Sequence, residues 1–127
     1  MATGFPAATG DVLSASMYNG LVAYTLNEQT GTSYTPVLAD GYQVLLTRSN
    51  ASASTLTIPL NSSVAFATGT VITVLNKGAG VVTISGAGGV TVLSAGATAA
   101  SPTLAQYKSC ALIQTSANNW YVVGGIA

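Results

Sequence analysis

The chain has 127 residues, of which 5% are charged and 49% hydrophobic, and its formal net charge is zero. This length fits one domain with a buried core, and the chain has no cluster of Lys and Arg with which to bind nucleic acid. No apolar run approaches the ~18 residues of a membrane-spanning helix, and the first residues lack the basic and apolar regions of a secretory signal.

The shortage of charge predicts an obligate assembly. About a quarter of the residues in a typical soluble domain are charged, and charges help to keep the edges of its sheets from pairing with other chains. This chain has three basic and three acidic side chains in all. Its sheet edges therefore need another cover, and we expect other subunits to provide it.

The charges are also divided along the chain. The acidic residues are Asp11, Glu28 and Asp40, and the basic residues are Arg48, Lys77 and Lys108. Chance in so small a sample accounts for this division. A second interpretation is an acidic N-terminal arm that docks on a weakly basic body, of the same or of a neighbouring subunit.

The N-terminal third predicts an arm and one short helix. Residues 1–10 have no periodic pattern and indicate an extended arm, whereas residues 11–24 carry one apolar stripe at helical spacing. The stripe consists of Leu13, Met17, Leu21 and Tyr24. Asp11 or Ser14 is a suitable N-cap. Because this helix is short and contains Gly20, it needs a partner surface to be stable.

From residue 34 onward the pattern changes to short runs rich in β-branched residues, separated by Gly, Pro, Asn and Asp. The predicted strands cover residues 34–38, 42–47, 54–58, 71–75, 81–84, 90–93, 109–115 and 120–123. Between them we expect Val64 and Phe66 to fill the core and residues 118–119 to form a tight reversal. Cys110 lies in an apolar run and is interpreted as a small core residue.

Residues 70–93 predict an antiparallel meander, because three strands follow one another here across two Gly-rich segments and glycine supplies the positive φ of tight reversals. The spacing of the strands favours an all-β fold, an antiparallel β-sandwich of jelly-roll type. A β-solenoid is less favoured, since no repeat of fixed period is visible. The predicted domains are residues 1–33, the arm with its helix, and residues 34–127, the β-sandwich.

The residues predict no enzyme. The chain has no histidine, so the usual general base and the usual zinc ligand are absent. No base is available to activate a serine or Cys110, and the three acids do not cluster as paired catalytic carboxylates or calcium ligands do. The Gly-rich segments do not precede a helix, as a phosphate loop would. No catalytic residue, cofactor site or metal site is predicted.

Trp120 and Tyr121 are the candidates for a ligand-stacking site. Neighbouring residues on a strand point to opposite faces, so we expect one of these two in the core or an interface and the other exposed. Filling of the core and of an interface is the simpler interpretation. The alternative is an aromatic platform for a carbohydrate of a host surface.

Several motifs, in their order, resemble a β-sandwich module of tailed-bacteriophage virion proteins. The segments that carry the resemblance are residues 32–41 (TSYTPVLADG), 54–59 (STLTIP) with 61–63 (NSS), 69–74 (GTVITV), 104–107 (LAQY) and 119–124 (NWYVVG). The front of the chain adds residues 10–19, GDVLSASMYN, which are similar to the opening G-x-V-L-[ST]-A-x-x-x-N of many phage fibre and minor structural proteins.

The resemblance implies a non-enzymatic virion component, often trimeric, on the capsid exterior or the tail. Because members in long fibres carry further domains, we expect a small stand-alone piece, a capsid decoration or head-fibre protein. Its expected partners are copies of itself and the major capsid or tail protein. The expected attachment or oligomer contacts are Phe5, Val12, Leu13, Met17, Tyr18 and Leu21. The alternative function is a tail-fibre or adhesin component that binds host-surface carbohydrate.

Overall fold

The structure, a computed structural model, describes residues 23–95 and 98–127. Within these ranges the strands are β1 Thr25–Gln29, β2 Ser33–Tyr34, β3 Val44–Arg48, β4 Ser54–Ile58, β5 Val71–Asn76, β6 Val82–Gly86, β7 Thr91–Ser94, β8 Thr103–Leu104, β9 Ser109–Ser116 and β10 Asn119–Gly124, with a 3-10 turn at Leu38–Gly41. Sheet A has the strand order β1-β3-β5-β9-β10-β7, and sheet B has the order β2-β4-β6-β8. The prediction of an all-β chain is confirmed.

The strands occupy nearly the predicted positions, but they begin earlier. β4 has the predicted bounds, β5 and β9 are one residue longer at their C-terminal ends, and β10 is one residue longer at each end. By contrast, β1 lies within the segment predicted as arm and link, and residues 35–38 of the first predicted strand are not in a strand. The predicted helix at residues 11–24 lies almost wholly outside the described residues.

The first six strands wind through both sheets as a coil. The chain alternates from sheet A to sheet B with each strand, and each strand pairs in parallel with the strand two places on, β1 with β3, β3 with β5, β2 with β4 and β4 with β6. This is the winding of a short β-solenoid. We call each pair of successive strands, one in each sheet, a rung.

The prediction of an antiparallel meander at residues 70–93 is therefore wrong. β5 and β6 belong to different sheets, and β7 pairs in parallel with β10. The antiparallel, jelly-roll order is wrong for the same reason, since five of the eight strand pairings among the described residues are parallel. The β-branched runs mark the strands equally well in either arrangement, so they do not reveal the partner of each strand.

The glycines after β5 serve close stacking of loops rather than a hairpin. The amide of Lys77 donates to the carbonyl of Arg48 at 2.8 Å, and the amide of Gly80 donates to that of Asn50 at 2.9 Å. A Cβ on Gly78 or Gly80 would overlap with the backbone of the loop that follows β3. The side chain of Asn76 fastens the same loop, because its Nδ2 donates to the carbonyl of Gly80 and its Oδ1 accepts from the amide of Gly78.

The rungs have unequal lengths, which explains why no fixed period is visible in the sequence. Thr25 pairs with Val44, nineteen residues on, whereas Leu45 pairs with Thr73, twenty-eight residues on. The extra residues lie in the loops, where insertions cost little.

The C-terminal strands reverse direction and close the coil. β8 pairs antiparallel with β6, and β9 pairs antiparallel with β5. β9 and β10 form a hairpin whose turn contains Asn118 at a φ of 60°, which confirms the predicted reversal, and Asn is one of the residues that tolerate this conformation. The third rung is thus covered, whereas β1 has no second neighbour among the described strands.

The core lies between the two sheets. Its buried hydrophobic residues are Leu46, Leu56, Ile58, Phe66, Ile72, Val74, Val82, Ile84, Val92, Leu104, Cys110, Leu112, Trp120 and Val122. The rings of Phe66 and Trp120 meet edge to face with centroids 5.4 Å apart, and Val64 packs against this cluster. The predicted core roles of Val64, Phe66 and Cys110 are confirmed.

Candidate functional site

The outward side of sheet A is apolar over most of its area. Along β5, β9 and β10 its residues alternate with the buried ones, so they point away from the core, and the pairing register places residues of β1, β3 and β7 on the same side. The outward apolar and small residues are Leu26, Leu45, Val71, Thr73, Leu75, Leu93, Ala111, Ile113, Tyr121 and Val123, and we call this surface face A. Large hydrophobic residues on it are strongly exposed, among them Leu26 at 68% and Val123 at 48%.

The strand register arranges face A in two rows across the sheet. One row runs from β1 to β10 and consists of Leu26, Leu45, Thr73, Ala111 and Val123. The other runs from β5 to β7 and consists of Val71, Ile113, Tyr121 and Leu93. Because both rows are continuous, the exposed apolar side chains form one patch, of the kind that marks an interaction surface.

Charge is nearly absent from face A. Glu28 is the one charged residue at an outward strand position of sheet A in the part of the chain that the structure describes, and its carboxylate forms an ion pair with Lys77. Both side chains are 46% exposed. The remaining outward positions near the strand ends, such as Thr91 and Asn119, are polar but uncharged. Covering face A therefore takes few charges out of water. Because the desolvation of charges is the main cost of burying a surface, this cost is small for face A.

The outward side of sheet B is different, because hydroxyl groups dominate it. Ser33, Thr55, Thr83 and Thr103 form one row across β2, β4, β6 and β8, and Thr57 pairs with Ser85 in a second row. We call these six residues face B. Hydroxyls remain hydrated when they face water, so face B needs no cover.

An open cleft lies at one end of face A, beside β7 and β10. Its volume is about 470 Å³, and residues that line it include Leu93, Ala95, Tyr121, Val123, Gly124 and Ile126. This volume falls within the ~300–1,000 Å³ of ligand pockets. The cleft lies beside the end of β10, which continues for two residues beyond Val122, its last residue paired with β7 among the described strands.

A polar cluster lies at the opposite end of the molecule, in the first rung. Asp40 is buried, and its carboxylate accepts hydrogen bonds from Asn27 Nδ2 at 2.8 Å, the Tyr34 hydroxyl at 2.5 Å and the Val37 amide at 3.0 Å. Burial, and then the bond to Asp40, raise the pKa of Tyr34 to about 12. The cluster joins β1 of sheet A to β2 of sheet B and to the 3-10 turn.

Arg48 stands next to this cluster and is 1% exposed. Its Nη2 donates to the carbonyl of Gly31 at 2.9 Å, and its guanidinium lies 6.0 Å from the centre of the Tyr34 ring. Burial lowers the pKa of Arg48 from its ordinary value. Arg48 therefore ties the second rung to the loop of the first, and it does not form part of a basic surface.

Of the two residues predicted for ligand stacking, the structure exposes one. Trp120 is 1% exposed and packs in the core, so its proposed place in a surface platform is wrong. Tyr121 is 40% exposed, lies on face A and lines the cleft. The prediction that these neighbours point to opposite sides is confirmed. The predicted attachment residues Phe5, Val12, Leu13, Met17, Tyr18 and Leu21 lie outside the described residues.

Two other features bear on chemistry. Cys110 is a free thiol in the core, and burial raises its pKa to about 12, which disfavours the reactive thiolate. Within residues 23–95 and 98–127, no three side chains of His, Cys, Asp or Glu stand together as metal ligands do. In the same ranges no helix is long and apolar enough to cross a membrane.

Sequence reasoning missed face A and the polar cluster. Nothing in the sequence around Asp40 indicates that its carboxylate binds Asn27 and Tyr34. Face A depends on the register of distant strands, and its one visible signal is the low charge of the whole chain.

Comparisons with protein-family models, with curated proteins and with solved structures found no match for this chain.

Proposed function

We propose that the protein is a non-enzymatic structural component of a bacteriophage virion, a homotrimeric capsid decoration or head-fibre protein. The observation that carries the structural part of this proposal is face A, a continuous apolar surface with one ion pair at its border. The phage context comes from the motif order described above. Face A buries against other copies, and the N-terminal residues bind the particle.

The size of face A suits an interface. At about 4.8 Å per strand and 3.3 Å per residue, six strands of about five residues span roughly 29 Å by 17 Å, or about 500 Å² of flat area on each subunit. Three such faces bring about 1,500 Å² of flat area to a trimer, and the protruding side chains add to it. The apolar composition is that of obligate rather than transient contacts.

The position of the N-terminal segment fits a role in attachment. The chain enters sheet A at β1, which is an edge strand among the described residues. The proposal gives this segment the role of binding the major capsid or tail protein, while face A holds the subunits together.

The test uses the full chain and two charge substitutions, one on each face. Ile113 lies in the middle of the second row of face A, and Thr83 lies in the middle of the row on face B. We expect light scattering after gel filtration to give a trimer for the wild type and for Thr83→Lys. Ile113→Lys should weaken association by at least about a hundredfold, because it buries an unpaired charge. A trimer that survives Ile113→Lys with unchanged affinity would contradict the proposal.

The second candidate function is a tail-fibre or adhesin component that binds host carbohydrate. It is supported by Tyr121, which stands exposed at the cleft, because an aromatic ring next to a cavity is able to stack on a sugar. A glycan array, with Tyr121→Ala as the control, tests it. Binding that depends on Tyr121 would favour this function, and absence of binding at high protein concentration would eliminate it.

A further inference from the structure

The two ends of face A differ in shape, and the difference concerns how copies meet. At the β1 end, Tyr24 and Leu26 are exposed by 58% and 68%. At the β7 end lies the cleft lined by Leu93, Tyr121 and Val123 among others. One end of the same sheet thus exposes large apolar side chains, and the other end carries a cleft.

We infer that face A makes a head-to-tail contact, in which Tyr24 and Leu26 of one copy enter the cleft beside β7 and β10 of the next copy. This inference rests on the trimer of the proposed function. A two-fold contact uses the same patch on both partners, whereas a closed ring of three needs two different patches that fit each other. The ends of face A are two such patches.

The chemistry of the two patches supports the same occupant. Tyr24 and Leu26 carry no charge, and neither do the residues that line the cleft. Burying them against each other therefore costs no desolvation of ions, and it removes large apolar side chains from water. A cleft of about 470 Å³ has room for large side chains, and its rim at Tyr121 and Val123 is continuous with face A.

The edges of sheet A add a reason for the contact. β1 has one neighbour, β3, and β7 has one neighbour, β10, among the described strands. Unpaired strand edges are normally protected by charges or by cover, and here Glu28 is the one charged residue on these two strands. A head-to-tail contact brings a β1 edge close to a β7 edge and covers both.

The experiment introduces cysteines at the two ends of face A and uses a short bismaleimide to link them. Leu26→Cys and Val123→Cys are made singly, co-expressed as a pair, and combined in one chain. The native Cys110 is buried with a raised pKa, so the wild type serves as the unreactive control. The double variant Leu26→Cys with Thr83→Cys is the matched control for a pairing with face B.

We expect neither single variant to cross-link with itself, the co-expressed pair to give covalent dimers, and the Leu26→Cys/Val123→Cys chain to give covalent trimers. The control with Thr83→Cys should stay unlinked. Self-linking of Leu26→Cys or of Val123→Cys would overturn the inference in favour of a two-fold contact. So would a trimeric mass without cross-links between the two positions. If the uncross-linked wild type has the mass of a monomer, the proposed function is overturned instead. Measuring this mass therefore distinguishes failure of the inference from failure of the proposed function.

Discussion

Faces A and B have the same origin and opposite character. Both are outward sides of sheets whose inward sides share one core, and both include strands of the same coil. Face A presents Leu, Val, Ile and Tyr, whereas face B presents Thr and Ser. Only 5% of the residues are charged, and the remaining polar groups are distributed unevenly between the two faces. The face that carries the hydroxyl groups is the one that we expect to face water.

The difference shows why the overall composition is a poor guide to one surface. Face B remains compatible with water through hydroxyl groups alone, which composition does not count as charge. Face A has one such group near its centre, on Thr73, beside Ala111 and Ile113 of β9. Low charge therefore reflects one exposed apolar face rather than a uniformly apolar exterior.

The largest effect on the free energy of unfolding is expected when an inward residue of sheet A is replaced by alanine and compared with its outward neighbour in the sequence. Trp120→Ala should lower the free energy of unfolding by about 3–5 kcal/mol, because it leaves a cavity beside Phe66. Tyr121→Ala should change it by less than about 1 kcal/mol. Chemical denaturation in the Ile113→Lys background keeps assembly out of the measurement. Equal losses for the two substitutions would mean that face A is part of the folding core.

Alkaline pH should lower the free energy of unfolding through the polar cluster of the first rung, which joins sheet A to sheet B. The folded pKa of Tyr34, about 12, lies above its ordinary value of 10.0, so its contribution is complete below pH 10 and is lost as the pH rises through 12. Two pKa units set an upper limit of about 2.7 kcal/mol, and because Tyr34 is only partly buried, solvent screening should reduce the loss to about 1 kcal/mol. Unfolding curves between pH 9 and pH 12 measure the slope. Tyr34→Phe should flatten it, and Cys110→Ala as common background removes the second raised pKa.

Replacing hydroxyl groups of face B by apolar groups, as on face A, should create a second surface that associates with other copies. The variant Thr55→Val/Thr83→Val/Thr103→Val replaces three of the four hydroxyls of one row by methyl groups at positions that already favour β-branched residues. We expect the free energy of unfolding to change by less than about 0.5 kcal/mol per site, and the mass in solution to rise to multiples of the wild-type oligomer. If the mass stays that of the wild type, exposed apolar rows are not sufficient for association.

The smallest effect is expected at the border of face A. Lys77→Gln removes the partner of Glu28, and since both side chains are 46% exposed, their ion pair is worth about 0–1 kcal/mol. Salt should reduce even this difference. Lys108→Gln, at another exposed lysine, is the matched control. A larger loss, accompanied by weaker association, would place this ion pair inside the subunit contact.

The positions of strands were readable from the sequence, and their partners were not. The run Ser54–Ile58 alternates between hydroxyl and apolar residues and is a strand with the predicted bounds. Alternation sets the two sides of a strand but leaves its neighbour open, since a hairpin and a coil need the same pattern. The glycines after β5 were interpreted as hairpin residues, although their requirement comes from Asn50 and Ser52 in another loop.

The functional surfaces were predictable to a lesser degree. The opposite orientation of Trp120 and Tyr121 follows from strand geometry alone, but which of them is buried depends on Phe66, fifty-four residues earlier. Face A needs the register of four successive pairings before Leu26 and Val123 fall in one surface. Low charge predicted that some surface is covered, and the fold was required to locate it.

The most direct test of the central claim, that face A is covered by other copies of the chain, is the native mass of the full-length protein at micromolar concentration. The account predicts a mass three times the 12.6 kDa of the chain, with no substantial monomer. A monomer that persists across the micromolar range would contradict it, because face A would then be stable in water without cover.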